Sequence, residues 1–228
     1  MSRTVEARLA ELEKFPDEAE FYRLVAEVKR SRSLIERYAE RIGRIDARIF
    51  TERTGLRVSV GTGTAAMLLL GIAALLLLVL APSMGAGLHG LLVISATFML
   101  MTALHPIAHL LAGRALGMRF LFYFLNGPAR VEPTLKVDYT SYLRSSPGAR
   151  AAMHLSGIIA SVLATLIGFL AAYLSGAPAF AKNLLLLLLI LNTLFEFSPP
   201  LLVKLGFRGF RKSDAYRFFR ELKLREEA

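Results

Sequence analysis

No cysteine occurs in the 228 residues, which removes disulfides, thiolate metal sites and cysteine nucleophiles and leaves histidine and carboxylate chemistry. Charge is missing from three long stretches, 58–81, 88–113 and 151–181. Each exceeds the roughly 18 to 20 apolar residues that cross a bilayer core. A fourth stretch, 183–203, carries one charge, Glu196. With 54% hydrophobic residues and a mean hydropathy of +0.49, a disordered or collagen-like chain is excluded, and a single soluble globule does not accommodate four such runs. The expected fold class is an all-α multi-pass membrane protein with four transmembrane helices. The first spans 58–81; the others, 88–113, 151–175 and 183–203, form one core over 88–203. The charged 57 residues ahead of the first run do not read as a cleavable signal peptide.

Basic residues are unevenly placed. Of 28 Lys and Arg, 13 fall in residues 1–57, six in 114–150 and eight from Lys204 onward, with Lys182 standing alone. Given four spans, the first, third and fifth segments outside the membrane share a side, so 27 of the 28 cations lie together. The positive-inside rule makes that side cytosolic and places both termini in the cytoplasm. Orientation and anionic headgroups then account for the net charge of +10. The lipid bilayer is the expected partner, and nucleic acid is not.

Residues 1–57 read as a cytosolic helical arm. A short helix over about 4–15 precedes Pro16-Asp17, a helix start, and from 17 to 51 Gly43 alone breaks an otherwise helical composition. Phe21, Val28, Ile35, Ile42 and Ile49 recur every seven residues, with Leu24, Ser31, Tyr38 and Ile45 at the complementary positions. One helix on the order of 50 Å long is expected, folding into a helical hairpin or acting as a coiled coil. A hairpin leaves part of the stripe uncovered, so residues 17–51 are a candidate surface for a homo-oligomer or another protein. Residues 204–228 read as a cytosolic C-terminal amphipathic helix with Tyr216, Phe218, Phe219 and Leu222 on its apolar side.

Ionisable residues inside hydrocarbon are costly and point to function. Four stand out: His105 and His109 in the second span, His154 near the start of the third, and Glu196 late in the fourth. Counted from the cytosolic ends of the spans, all four occupy one layer. Positions i and i+4 share a helix face, so His105 and His109 can aim two imidazoles at one point, the spacing used by zinc-binding helices. The plainer reading is two neutral histidines hydrogen-bonded between helices. His154, close to the boundary, reads as a snorkelling or capping residue, and His89, at the outer end of its span, carries no assigned role.

The stretch HPIAHLLAGRALGMR, from His105, resembles the site-2 protease family of intramembrane zinc metalloproteases, whose metal helix carries HExxH. RAAMHLSGIIAS, with Gly157, is similar to the family's third-helix block. LNTLFEFSPP followed by KSDAYRFF resembles a stretched form of its Asn-x-x-Pro and Asp-Gly region. The resemblance covers roughly residues 89–220. It implies Zn2+ as cofactor, with His105, His109 and Asp214 as metal ligands. Glu196, already at the right depth, is the alternative third ligand. Asp214 can equally be the start of the amphipathic helix, because Lys204, Arg208, Arg211 and Lys212 precede it.

Where the family has the HExxH glutamate, this chain has Pro106. Proline can neither accept a proton from a metal-bound water nor pass one to a leaving amine, so ordinary HExxH catalysis is absent. Between the second and third spans, FLFYFLNGPARVEPTLKVDYTSYL alternates aromatic and polar residues around Asn126-Gly127. It reads as a small β-hairpin or as an interfacial loop anchored by aromatics. In the resembling family such a strand pairs with an extended substrate. Three functions follow: an inactive relative that binds a membrane-protein segment as client; an active zinc metalloprotease with Glu196 as relocated general base; or a non-enzymatic oligomeric membrane scaffold.

Overall fold

The computed structural model describes residues 4–126 and 132–226. It is mostly helical and carries one small three-stranded sheet. Four helices are long and apolar enough to cross a membrane: Val60–Ser83, Ala86–Ala115, Pro147–Leu174 and Ala179–Phe197. The chain divides into two compact units, one taking residues up to Val60, Gly113–Arg150 and Glu221 onward, the other Gly61–Ala112 and Ala151–Arg220.

In the first unit, α1 (Val5–Lys14), α2 (Glu18–Val28) and α3 (Arg32–Arg53) each begin at a side-chain cap. The oxygens of Thr4, Asp17 and Ser31 accept from the backbone N–H of Ala7, Glu20 and Leu34, answering donors that no earlier turn can satisfy. The third cap corrects the expected single long helix over 17–51. α2 ends at Val28, the chain turns through Lys29–Ser31, and Ser31 starts α3. The turn changes what the seven-residue stripe faces. Phe21, Leu24, Val28, Ile35, Tyr38, Ile42, Ile45 and Ile49 form one buried core with Leu9, Leu12 and Leu143. The stripe therefore packs within its own chain. α6 (Tyr139–Arg144) supplies Leu143 and crosses α3 at Gly43, where an added Cβ would lie 2.0 Å from Thr140 Oγ1.

The sheet is a further difference from the all-α expectation. β1 (Arg57–Ser59), β2 (Phe120–Asn126) and β3 (Glu132–Val137) pair antiparallel in that order. Ser59 sits opposite Phe122, and Asn126 opposite Glu132. The hairpin read between the second and third spans is therefore present as β2 and β3. β1 was unforeseen: three residues at the head of an apolar run show no alternation to detect. The turn at Gly127 lies outside the described residues. Phe50 of α3 packs on Phe124, ring centroids 4.7 Å apart, and Lys136 of β3 reaches Asp46 of α3 at 2.5 Å.

The second unit is built from α4 (Val60–Leu80), α5 (Ala86–Ala115), α7 (Pro147–Leu174) and α8 (Ala179–Phe197). Two small clusters join them, Ala74, Ala96, Leu100 and Ala164 in one, Ala81, Val93, Ala172, Ala177, Ala181 and Leu185 in the other. Alanine dominates both. In lipid, close backbone approach substitutes for a hydrophobic driving force, and small residues permit it. At Gly168 the approach is closest, since a Cβ there would stand 1.9 Å from Thr97 Oγ1. Among the four long helices α5 and α7 bury the largest shares of their length, while α4 and α8 turn Leu69, Leu76, Val79, Leu187 and Leu194 outward. After α8 come α9 (Pro199–Lys204), a short turn and α10 (Asp214–Glu226).

Candidate metal centre

His105 and His109 lie one turn apart on α5, which runs unbroken through Pro106. Their rings stand edge to face, centroids 4.7 Å apart, and the two Nε2 atoms are separated by 3.1 Å. Each Nδ1 is engaged by α7. That of His109 faces the Met153 carbonyl at 2.8 Å, and that of His105 the Ser161 hydroxyl at 2.8 Å. A carbonyl only accepts, so His109 Nδ1 carries the proton and its Nε2, in the neutral ring, presents a lone pair.

Asp214 completes the arrangement from the first residue of α10, where the Ser213 hydroxyl caps the helix by accepting from Tyr216 N–H. Its Oδ2 lies 3.0 Å from His109 Nε2 and 3.3 Å from His105 Nε2. Its Oδ1 accepts from His154 Nδ1 at 2.8 Å. Burial alone would raise the Asp214 carboxyl. The imidazoles of His109, His105 and His154 around it outweigh burial and hold it well below the ordinary aspartate value, so it is an anion.

Two imidazole nitrogens and a carboxylate oxygen thus meet at 3.0 to 3.3 Å; His109 Nε2 and Asp214 Oδ2 are both acceptors, so a donor or a cation has to stand between them. A proton serves, through imidazolium donating to Asp214. A metal also fits. The mutual distances of 3.0, 3.1 and 3.3 Å are short enough for one ion to be bonded by all three atoms at the roughly 2.0 to 2.2 Å usual for zinc. His105, His109 and Asp214 are, among the described residues, the set whose ligand atoms converge. Imidazole and carboxylate suit zinc and its first-row neighbours.

Gly157 of α7 makes the convergence sterically feasible. A Cβ there would lie 2.3 Å from His109 Nε2 and 2.9 Å from His105 Cε1. Glu196 is near but outside the converging set. Half-buried at the end of α8, it interacts with Ser161 and lies in the field of His105. Of the two carboxylates considered from sequence, Asp214 therefore reaches the imidazoles, and Glu196 stands behind the hydroxyl that His105 touches. His154 is neither snorkelling nor capping: its side chain is 4% exposed and tied to Asp214. Its role and that of Ser161 were missed, although residues 154, 157 and 161 follow the i, i+3, i+7 spacing of one helix face. His89 pairs with the Ser175 hydroxyl at 2.9 Å, away from this set.

Compared with protein-family models, curated proteins and solved structures, the chain gives no match.

Proposed function

We propose that this chain is an integral membrane protein resembling the site-2 proteases, which holds Zn2+ through His105, His109 and Asp214 and binds a membrane-protein segment without cleaving it. The observation that carries this reading is the meeting of two Nε2 atoms and Asp214 Oδ2 within 3.3 Å of one another. Zinc in such a site, with an open fourth position, lowers the pKa of a bound water. The group that takes the proton from that water in an HExxH helix has no counterpart at Pro106. Binding of an extended client is supported by the antiparallel sheet, where β1 and β3 are the outer strands and offer edges for strand addition. The clustering of 27 of 28 basic residues in alternate segments supports cytoplasmic termini.

The test is elemental analysis of protein purified from membranes, together with a cleavage assay on unfolded and transmembrane substrates. One zinc per chain is expected, lost in His105→Ala and Asp214→Asn, with no cleavage by the parent protein. Turnover that disappears in His105→Ala overturns the inactive reading, and absence of stoichiometric metal overturns the zinc centre.

A second reading is favoured by one observation, the half-buried Glu196 beside Ser161 and His105. If the protein is an active zinc metalloprotease, Glu196 is its relocated general base. Glu196→Gln then abolishes zinc-dependent cleavage and leaves the metal bound.

A further inference from the structure

All three converging side chains are held from one face of α7. The Met153 carbonyl fixes His109, the Ser161 hydroxyl fixes His105, His154 fixes Asp214, and Gly157 between them leaves room for both rings. The two histidines also owe their placement to α5, one turn apart on a single helix. Asp214 does not. It arrives on the first turn of a separate helix, after the stretch containing Lys204, Arg211 and Lys212, and its carboxylate can rotate about two single bonds.

We propose that His154 is a positioning residue for metal binding, donating Nδ1–H to Asp214 Oδ1 so that Oδ2 alone is presented to the ion. The inference rests on the reading that His105, His109 and Asp214 hold a metal. The donor and acceptor are 2.8 Å apart, and their side chains are 4% and 18% exposed, so water competes poorly for Oδ1. A carboxylate only accepts, which places the proton on His154 Nδ1. With Oδ1 engaged, Asp214 would hold the ion through Oδ2, the oxygen that faces both Nε2 atoms. Without the donor, the carboxylate is free to bind through both oxygens or to turn away. Partners that orient metal ligands in this way are worth 10- to 100-fold in affinity.

Asparagine and glutamine at position 154 separate this role from packing. The Asn amide nitrogen occupies the place of Nδ1, whereas that of Gln reaches one bond further. Helix propensity ranks Gln above Asn, so a merely structural role favours His154→Gln. Full-length protein in detergent is titrated with Zn2+ against a competing chelator, and with Co2+ to follow its ligand-field absorption. His105→Ala should hold no stoichiometric zinc. His154→Gln should bind 10- to 100-fold more weakly with an altered Co2+ spectrum, and His154→Asn should stay within about threefold with the parent spectrum. Failure of the parent protein to bind zinc overturns the metal reading itself. Parent binding with undiminished affinity in His154→Gln, or with His154→Asn as weak as His154→Gln, overturns the role of His154 and leaves the metal centre standing.

Discussion

Gly157 offers bare backbone to His109: a Cβ built there would come within 2.3 Å of Nε2 and 2.6 Å of Cε1. Atoms do not approach so closely, so a side chain at 157 must push the imidazole away from the point where it meets His105 and Asp214. The effect on the helix runs the other way, since alanine is favoured over glycine by about 1 kcal/mol in a helix interior.

Gly157→Ala should therefore lower zinc affinity at least 10-fold while leaving the helical content intact, on the scale by which displaced ligands weaken metal sites. Zinc competition and far-ultraviolet circular dichroism on the same samples separate the two effects. An alanine variant that binds zinc like the parent would mean the rings do not depend on this opening.

Acidification gives a second check. Protons and metal compete for the same Nε2 lone pairs, whereas Asp214 is held well below the ordinary aspartate value by the imidazoles around it. Zinc affinity should fall as the solution is acidified, with protons released on binding. Calorimetric titrations in buffers of different ionisation enthalpy measure that release. Affinity unchanged between pH 7.5 and 5.5 would exclude imidazole ligands.

How much of this is legible in the sequence depends on the distance over which the signal acts. The four apolar runs are local and continuous, and each is matched by a long apolar helix, because length and absence of charge are the requirement itself. The fourth helix is Ala179–Phe197, not 183–203, since the chain breaks at Ser198 before Pro199 and Pro200 begin a separate helix. His105 and His109 are also local, four residues apart on one helix. Asp214 is 105 residues beyond His109 and became a candidate through resemblance alone. His154 and Ser161 could be recognised only after α7 was seen to face α5. The break at Ser31 was available in principle: a serine that can cap a helix occupied a position where the heptad called for an apolar residue. The seven-residue spacing on either side of it masks that boundary. Glu221 on the C-terminal amphipathic helix is wholly buried, and nothing local signals it, because its neutralising partners Lys29 and Arg150 are 192 and 71 residues away.

Lys136 and Asp46 make a third prediction. The pair is 2.5 Å apart with 9% and 6% side-chain exposure, and the ammonium also lies 4.3 Å from the centre of the Phe50 ring. Removing one charge takes from the other its buried ion pair. Lys136→Met should cost about 3 to 5 kcal/mol, whereas adding Asp46→Leu should recover most of the loss, since replacing both members of a buried pair by apolar residues is often neutral. Denaturant unfolding of the two single variants and the double variant measures the coupling. Additive losses would show that the two groups do not depend on each other.

Glu221 carries the last prediction. Its carboxylate receives Lys29 Nζ at 2.5 Å, Arg150 Nε at 2.6 Å and Tyr142 OH at 3.3 Å. Arg150 further donates to the Leu143 and Ser145 carbonyls, and both cations lie against the Tyr142 ring. Burial pushes the Glu221 carboxyl up, but the two adjacent cations pull it down to about 2. A carboxyl lowered on folding contributes its full stability above the unfolded value, about 4.3, and loses it as pH falls toward the folded value. The parent protein should accordingly lose thermal stability between about pH 4 and pH 2 from this group. Glu221→Gln takes the buried carboxylate away from Lys29 and Arg150 and should cost about 3 to 5 kcal/mol at neutral pH. It should also remove this group's share of the acid-induced loss, so the two melting curves converge as pH falls. A glutamine variant with the parent's melting temperature at pH 7 and the parent's slope below pH 4 would show that the two cations find their compensation elsewhere.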